Sequence, residues 1–367
     1  MLLLNPGPVT LSERVRNSLL QPDLCHREDE FFDLQDEARE RLLQVYGLSD
    51  KEWAAVLMTG SGTAAVESMI ASLVPENGRL LVVENGVYGE RIAQIAKQYR
   101  IDYEIVRHDW MSAPDFHAIV GRLDSAERRF THVAIIHHET TTGRLNDLTK
   151  LADACVERGV GLLVDAVSSF GAEAIHFSHA GLVAIAATAN KCLHGVPGAA
   201  FVIARHSAIE RATSRTYYLD LSRLAKLQAQ RNTPFTPSVH AYYALVEGLR
   251  ELADQGGWEA RHAHYRSLAE QAAAGLARLG ITPALPAAQS SVVLRAYRLP
   301  VGVAYTQLHD GLKAKGFVIY AGQGGLSAEI FRISTMGNIE SADIERLLDS
   351  VAALVGKDVG QQSPAVV

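Results

Sequence analysis

The chain has 367 residues, of which 48% are hydrophobic and 21% are charged, and these values are typical of a soluble globular protein with one or two domains. Its formal net charge of −6 disfavours a nucleic-acid partner or an anionic membrane surface. No apolar run reaches the ~18–20 residues that a membrane span requires.

The cysteines and the first residues of the chain indicate in which cellular compartment the protein is located. Cys25, Cys155 and Cys192 are scattered without metal-binding spacing, which fits a reducing environment. The apolar run Leu2-Leu3-Leu4 stops at Pro6 and lacks the basic flank of a signal peptide. We therefore expect a cytoplasmic protein.

The chain opens with the rigid segment Asn5-Pro6-Gly7-Pro8. Proline fixes φ and disfavours helix in the residue before it, so this segment is extended. We expect it to lie across the surface near the functional site. Residues 36–46 have the pattern of an amphipathic helix that ends at Gly47.

A glycine-rich turn follows the next predicted strand. Residues 54–58 are a short apolar strand, Thr59-Gly60-Ser61-Gly62-Thr63 is the turn, and residues 64–73 have a helical pattern. A turn of this kind points backbone N–H groups at a ligand, and the helix dipole favours negative charge. The sequence therefore predicts an anion site here.

The same turn supports a competing interpretation. Gly60-x-Gly62-x-x-Ala65 matches a loose dinucleotide fingerprint, and Glu84 ends the next strand at roughly the ~20-residue spacing that this fingerprint requires. An NAD-linked oxidoreductase is therefore an alternative. However, it leaves Asp165 and Lys191, discussed below, without a role.

Two further turns carry side chains suited to a ligand. After the strand at residues 80–83, Tyr88 stands at a strand-to-helix turn, where its ring either stacks on a planar cofactor or packs in the core. After the strand at residues 133–136 comes His137-His138-Glu139-Thr140-Thr141-Thr142-Gly143. Adjacent strand residues point to opposite faces, and no third ligand stands at a recognised spacing, so we expect no metal site. The threonine hydroxyls can hydrogen-bond a ligand.

Two apolar runs end in residues that suit one cofactor. Gly161-Leu162-Leu163-Val164-Asp165 is the first run, and residues 182–191, which end in Asn190-Lys191, are the second. Ligands in open α/β sheets lie beyond the carboxyl ends of such strands, so we expect Asp165 and Lys191 at one pocket. A lysine amine forms a Schiff base with pyridoxal phosphate (PLP), and a carboxylate keeps its pyridine nitrogen protonated. A structural ion pair is the alternative.

Alternating strands and helices from residue 54 to residue 190 predict a mostly parallel sheet, followed by a smaller α+β unit. The remaining predicted elements are a strand at 199–204, a loop at 231–239, helices at 240–252 and 258–279, strands at 292–297, 317–320 and 330–334, helices at 305–315 and 341–355, and a frayed tail at 361–367.

Arg332 alternates with apolar neighbours on the strand at residues 330–334. A lone arginine on such a strand is costly to bury without an anion. Its planar fork suits a carboxylate or a phosphonate, and a structural salt bridge is the alternative.

Together these residues resemble the fold-type I PLP enzymes and, among them, the class-V aminotransferases. The resemblance covers nearly the whole chain, including the opening Asn5-Pro6-Gly7-Pro8, and Asn190-Lys191-Cys192-Leu193-His194-Gly195-Val196-Pro197-Gly198 is its most specific motif. The other motifs are Glu139-Thr140-Thr141-Thr142-Gly143 and Asp165-Ala166-Val167-Ser168-Ser169-Phe170-Gly171. Within the class, they are most similar to those of aminotransferases acting on 2-aminoethylphosphonate and pyruvate.

The resemblance implies an α/β fold of two domains. A large PLP-binding domain with a mostly parallel seven-stranded sheet would cover residues 13–256, and a small α+β domain would cover residues 257–367. The N-terminal segment, residues 1–12, would join them.

The resemblance also implies the cofactor PLP, a homodimer and a role for each site residue. Lys191 would carry the cofactor and move a proton, and Asp165 would hold the pyridinium. The remaining implied roles are phosphate binding by Ser61, Gly62, Thr63, Asn190 and Thr236 of the neighbouring subunit, ring stacking by Tyr88, a hydrogen bond to the phenolic oxygen by Thr141, and binding of the substrate's acidic group by Arg332.

The implied reaction transfers the amino group of 2-aminoethylphosphonate to pyruvate. Two segments depart from the phosphonate enzymes, Cys25-His26-Arg27 and Phe331-Arg332-Ile333-Ser334-Thr335-Met336-Gly337. Alanine or serine with glyoxylate or pyruvate is therefore an alternative substrate pair. A PLP-binding regulator is a third interpretation, disfavoured by the full catalytic set and by the lack of an evident DNA-binding appendage.

Overall fold

The computed structural model describes residues 1–359. The strands in this range are β1 Leu2–Leu3, β2 Trp53–Gly60, β3 Arg79–Glu84, β4 Asp102–Arg107, β5 His132–Ile136, β6 His138–Glu139, β7 Arg144–Leu145, β8 Gly161–Asp165, β9 Leu182–Thr188, β10 Gly198–Arg205, β11 Leu294–Arg298, β12 Phe317–Val318, β13 Tyr320–Ala321 and β14 Ile330–Ser334. The helices are α1 Glu13–Ser18, α2 Asp29–Gln44, α3 Gly62–Leu73, α4 Val87–Gln98, α5 Phe116–Ser125, α6 Thr149–Arg158, α7 His206–Glu210, α8 Leu221–Ala229, α9 Val239–Asp254, α10 Gly257–Arg278, α11 Tyr305–Ala314 and α12 Ser341–Val359.

A seven-stranded sheet forms the centre of the first part of the chain. Its strand order is β2-β10-β9-β8-β5-β3-β4. The neighbouring pairs from β9 to β4 are parallel, whereas β10 runs antiparallel to both β2 and β9. The predicted mostly parallel seven-stranded sheet is therefore confirmed. The carboxyl ends of β8 and β9 meet at one edge, as the strand pattern required.

Helices cover both faces of this sheet, because its central strands are apolar on both sides. Along β8, Leu162 and Val164 belong to one hydrophobic cluster and Leu163 belongs to the other. Helices α2, α6 and α9 contribute to the first cluster, and α3, α4 and α8 contribute to the second. This arrangement explains why the strands read as continuous apolar runs rather than alternating ones.

The last third of the chain has its own core. Strands β11, β14 and β13 form an antiparallel sheet in that order. Apolar residues of α10, α11 and α12 pack in one cluster with β14 and with Leu4 of the N-terminal segment. Gln255 and Gly256 separate α9 from α10, and Gly256 and Gly257, the first residue of α10, both have positive φ, a conformation that glycine adopts at little cost.

The N-terminal segment is only partly on the surface as expected, because Asn5 and Pro6 are buried, Gly7 is half-buried and Pro8 is exposed. Strand β1 pairs in parallel with β12, which places Leu4 and Asn5 in the interior. The apolar run at residues 2–4 is buried because it completes the core of the C-terminal unit. The expected nearness to the functional site is correct and is described below.

Two predicted elements differ from the structure, and one strand has no predicted counterpart. Strand β4 was not predicted, because it lies at the edge of the sheet and has a partly exposed, polar pattern. The single strand expected at residues 317–320 is divided between two sheets, with β12 pairing with β1 and β13 pairing with β14. Helix α2 starts at Asp29 instead of residue 36. The tail predicted at residues 361–367 lies outside the described residues.

Within residues 1–359, no helix combines the length and the apolar character needed to cross a bilayer.

Candidate active site

A cavity of about 460 Å³ opens at the carboxyl edge of the central sheet. Seven of the predicted site residues line it, namely Ser61, Gly62, Thr63, Tyr88, Asp165, Asn190 and Lys191. They come from four separate strand ends, which the parallel arrangement brings to one edge. The structure does not place Thr141, Thr236 or Arg332 in the lining of this cavity.

The first turn of α3 forms an anion cradle on one side of the cavity. No side chain caps this helix, since the N-cap Ser61 makes no capping hydrogen bond. The first N–H groups are therefore left for a ligand. A Cβ at Gly62 would lie 2.7 Å from a methyl carbon of Val167, so glycine lets the turn pack closely against the segment that follows Asp165.

Asn190 faces the same cavity. The hydroxyl of Thr188 donates a hydrogen bond of 2.8 Å to Oδ1 of Asn190. This bond fixes the amide so that its NH₂ group is the part available to an anionic ligand.

Asp165 ends β8 and is 8% exposed. Its Oδ1 accepts a hydrogen bond of 2.9 Å from the backbone N–H of Val167. Burial raises the pKa of Asp165 to about 6. A cationic pyridine N–H beside this carboxyl would favour its charged form, because an opposite charge offsets desolvation.

Lys191 lies two residues beyond Ala189, in the turn that connects β9 to β10. Its Nζ donates a hydrogen bond to the carbonyl oxygen of Pro6. Gly7 has a φ of +111°, and a Cβ there would come within 2.7 Å of Cδ of Lys191. The N-terminal segment therefore forms a wall against the lysine, and Gly7 supplies the close approach.

Burial is the main reason that the pKa of Lys191 is lowered to about 8. The guanidinium groups of Arg332 and Arg91 act in the same direction, whereas Cys192 and Asp165 oppose the shift. An amine attacks an aldehyde only in its neutral form. The cavity therefore holds a lysine that is partly neutral near physiological pH, while an exposed lysine is almost fully protonated there.

We expect the uptake of PLP by the cofactor-free protein to follow this pKa. The rate of covalent attachment at Lys191 should rise with pH and reach half its maximum near pH 8, because the neutral amine accumulates above the pKa. Stopped-flow absorbance between pH 6 and 10 measures it, with acetyl-lysine and PLP as the matched reference. A half-maximum near the ~10.4 of an unperturbed lysine would contradict the burial argument.

Arg91 also lines the cavity and was missed in the sequence. Its guanidinium lies 4.7 Å from the centroid of the Tyr88 ring, and its Nη1 donates a hydrogen bond of 3.2 Å to Oγ1 of Thr63. Because Arg91 follows Tyr88 by three positions in α4, both side chains share one helix face. That spacing is the sequence signal that would have identified Arg91.

Thr141 supports the cavity from behind. Its Oγ1 accepts a hydrogen bond of 3.2 Å from the backbone N–H of Val87, the first residue of α4. Its own N–H donates to Oε1 of Glu139 at 3.0 Å, and burial raises the pKa of that carboxyl to about 7. Thr141 thus helps to position the helix that carries Tyr88. The expected bond to a phenolic oxygen stays a prediction.

His137 and His138 are buried and each has its own partner. Nδ1 of His137 lies 3.0 Å from Oγ of Ser169, and Nδ1 of His138 lies 3.2 Å from the carbonyl oxygen of Ser168. In the part of the chain that the structure describes, no three histidine, cysteine or acidic side chains are grouped so as to hold a metal ion. The two histidines join the strand end to the segment after Asp165.

Arg332 is 1% exposed and lies close enough to the cavity for its charge to lower the pKa of Lys191. Its Nε donates to the carbonyl oxygen of Ala321 at 2.8 Å, and its Nη1 donates to that of Thr140 at 2.7 Å. Within residues 1–359, it forms no ion pair with a carboxylate, so no structural salt bridge is found for it inside the described chain. Thr236 is exposed on the loop before α9.

The cavity fits PLP group by group. An uncapped helix start suits the phosphate, the Tyr88 ring suits the pyridine face, and a partly neutral Lys191 suits the aldehyde. The buried carboxyl of Asp165 suits the ring nitrogen. This carboxyl accepts one hydrogen bond, from the backbone N–H of Val167, and no arginine or lysine of the described chain lies within ion-pair distance of it.

Comparison with known proteins agrees with this geometry. The family profile of aminotransferase class-V matches residues 16–347. A 2-aminoethylphosphonate–pyruvate transaminase of Vibrio vulnificus is 37% identical over 95% of this chain and 96% of its own length. One from Bacteroides fragilis is 35% identical over 95% and 98%.

Solved structures give the same result for the fold. An aspartate aminotransferase of subgroup IV from Thermus thermophilus superposes with a TM-score of 0.89 at 27% identity, covering 98% of this chain and 100% of its own. An alanine–glyoxylate aminotransferase from Nostoc sp. also gives 0.89, at 26% identity over 96% and 95%. The NAD alternative is therefore set aside. The chain belongs to the class-V aminotransferases, which are PLP-dependent enzymes.

Proposed function

We propose that this enzyme transfers the amino group of 2-aminoethylphosphonate to pyruvate, which yields phosphonoacetaldehyde and alanine. The observation that carries the proposal is Arg332, a buried guanidinium that no described carboxylate neutralises. A guanidinium binds both carboxylates and phosphonates through its fork, so one arginine serves both half-reactions. The names of relatives at 34–37% identity support the same pair.

The roles of the site residues follow from their positions. When bound, PLP supplies a ring that withdraws electrons from the substrate carbon. Lys191 takes the proton from the amine-bearing carbon and returns it during the exchange, and Asp165 keeps the ring nitrogen protonated. We assign phosphate binding to Ser61, Gly62, Thr63, Asn190 and the partner subunit's Thr236, stacking to Tyr88, and the phenolic oxygen to Thr141.

The structure of the donor determines what Lys191, Asp165 and Arg332 must do. The amine-bearing carbon of 2-aminoethylphosphonate is a methylene with no carboxylate, so the bond that breaks is a C–H bond. Loss of that proton requires a base at Lys191 and a protonated ring at Asp165. Arg332 would bind the phosphonate and thereby orient the methylene toward Lys191.

A panel of amine donors tests the proposed substrate pair. We expect 2-aminoethylphosphonate to discharge the PLP absorbance in a single turnover much faster than serine or aspartate does, and to form alanine when pyruvate is added. Faster discharge by serine or by aspartate than by 2-aminoethylphosphonate would instead assign the enzyme to the amino-acid branch of the family. Alanine is left out of the panel because it is a product of the proposed reaction and discharges the absorbance in reverse.

We further propose a homodimer with shared sites. Thr236 follows Phe235 on an exposed loop, and the side chains of Tyr217 and Tyr218 pack against Phe235, with ring centroids 5.9 and 4.7 Å away. Tyr217 is 72% exposed, so these rings form an aromatic surface of the kind that interfaces use. Arg27 donates to the carbonyl oxygen of Thr233 at 3.1 Å and thereby holds the same loop.

A mixed dimer tests whether Thr236 acts across the interface. We expect an equal mixture of Lys191→Ala and Thr236→Ala chains, after subunit exchange, to recover up to about one quarter of wild-type activity. If Thr236 acts in the partner's site, each mixed dimer holds one intact site and one doubly damaged site. The control is each variant alone under the same exchange conditions. No gain over the Thr236→Ala parent would show that each site is built from one chain.

We also propose the two-domain division and a cytoplasmic location. A large domain at 13–256 and a small one from residue 257 are supported by the separate hydrophobic clusters on either side of Gly256 and Gly257. The cytoplasmic proposal is supported by the free thiol of Cys25, which is exposed and persists best in a reducing compartment.

A further inference from the structure

The partners of Arg332 are all uncharged oxygen atoms. Two are backbone carbonyls, and the third is Oε1 of Gln323, 3.4 Å from Nη1 of Arg332. Gln323 is thus the one described side chain that hydrogen-bonds this guanidinium. Gln323 is the most easily displaced of the three partners, because a side chain can rotate away while a backbone carbonyl cannot.

The backbone around Gln323 is folded tightly. The N–H of Gly322 donates to the carbonyl oxygen of Ile330 at 2.9 Å, and a Cβ on Gly322 would come within 2.2 Å of the carbonyl oxygen of Leu326. Gly324 has a φ of +53° and packs against the Trp110 ring. Glycines on both sides therefore hold Gln323 in a compact loop that carries its side chain to Arg332.

Gln323 also contacts the cofactor side of the site. The hydroxyl of Thr141 lies 3.4 Å from Oε1 of Gln323, and Thr141 supports the helix that carries Tyr88. The amide therefore lies between Arg332 and Thr141, the residue that helps to position the helix carrying Tyr88. Among residues 1–359, its Nε2 donates to no partner.

A phosphonate needs more donors than a carboxylate. The fork of one arginine satisfies two oxygens, which completes a carboxylate but leaves the third phosphonate oxygen unbound. A carboxamide presents an acceptor oxygen on one side and two N–H donors on the other, and a half-turn about its last torsion exchanges them. Gln323 therefore offers an acceptor to Arg332 in the free enzyme and a donor to a bound phosphonate.

We propose that Gln323 determines the specificity of the acidic-group site for phosphonate over carboxylate. In the free enzyme its amide oxygen accepts a hydrogen bond from Arg332. When a phosphonate engages Arg332, the amide turns and its NH₂ group donates to the third oxygen. This assignment rests on the proposed donor, 2-aminoethylphosphonate, and adds a second residue to the substrate site.

Two ligands without an amine test the assignment separately from turnover. Ethylphosphonate and propionate differ in the acidic group, and neither can react with the holoenzyme. In Gln323→Met, which keeps the length and removes both donors, we expect ethylphosphonate to bind about 10-fold more weakly and propionate to change less than about threefold. Isothermal titration of wild-type and variant holoenzyme measures both constants.

Two further variants make the result specific. Gln323→Glu keeps an acceptor for Arg332 but adds negative charge, so we expect a larger loss for ethylphosphonate than Gln323→Met shows. Arg332→Lys is the matched control and should weaken both ligands, because lysine offers a point charge instead of a fork. Thermal unfolding checks that each variant is folded, and Gln323→Leu, which also lacks both donors, replaces Gln323→Met if that variant is not.

The kinetic counterpart uses 2-aminoethylphosphonate and β-alanine, whose acidic groups differ in the same way. The ratio of their kcat/KM values should fall about 10-fold in Gln323→Met, through KM of the phosphonate. Equal weakening of both acids would reduce Gln323 to a structural role and overturn the assignment. If the wild-type enzyme rejects 2-aminoethylphosphonate but binds ethylphosphonate more tightly than propionate, only the proposed donor is overturned. If it binds propionate more tightly, the proposed donor and the role of Gln323 are both overturned.

Discussion

Replacing Lys191 with alanine should reduce transamination by at least about 10³-fold, because in the proposed assignment one side chain supplies both the amine that binds the cofactor and the base that moves the proton. Its amine lies against the carbonyl of Pro6 in the cavity, and burial lowers its pKa to about 8. No other lysine lines this cavity in the described chain. The protein should remain folded, because removing a buried amine also removes its desolvation cost.

Borohydride reduction followed by peptide mapping identifies the attachment point. We expect the label on the peptide that contains Lys191 in the wild type, and its loss in Lys191→Ala. Lys226→Ala, in which the replaced lysine is exposed, is the matched control and should keep both the label and the activity. A label on any other lysine would disprove the assignment.

Replacing Asp165 with asparagine should reduce turnover by about 10²–10³-fold while most of the cofactor stays bound. Asparagine has nearly the same shape and keeps an oxygen for the N–H of Val167, so the geometry is preserved. What is lost is the negative charge that favours a protonated pyridine nitrogen. Cofactor binding is expected to suffer less, because the phosphate cradle and Lys191 are unchanged.

The pH dependence of bound-cofactor absorbance separates these effects. In the wild type the ring nitrogen should stay protonated across the range in which the enzyme is active, whereas in Asp165→Asn it should lose its proton at lower pH. Asp310→Asn, at an exposed carboxyl outside the cavity, is the control. Full activity in Asp165→Asn would show that the ring nitrogen has another partner.

Residues at strand ends and in glycine turns could be predicted from the sequence because their signals are local. Asp165 ends an apolar run, and Ser61, Gly62 and Thr63 form a turn that opens a helix. Parallel strands bring their carboxyl ends to one edge, so these separate signals converge on one cavity without any knowledge of long-range contacts. The edge strand β4 was missed since half-exposed strands lack a continuous apolar pattern.

The sequence by itself therefore determined the sheet, the cofactor cavity and the lysine–aspartate pair. The tertiary structure decided what surrounds them. Pairing of β1 with β12, more than 300 residues apart in the chain, buries the N-terminal segment and brings Pro6 and Gly7 against Lys191. The contact of Gln323 with Arg332 likewise depends on a loop that two glycines fold back. Such contacts form when segments that are distant in the chain pack into one core. They cannot be predicted from the sequence, because no local pattern of residues specifies which distant segments pack together.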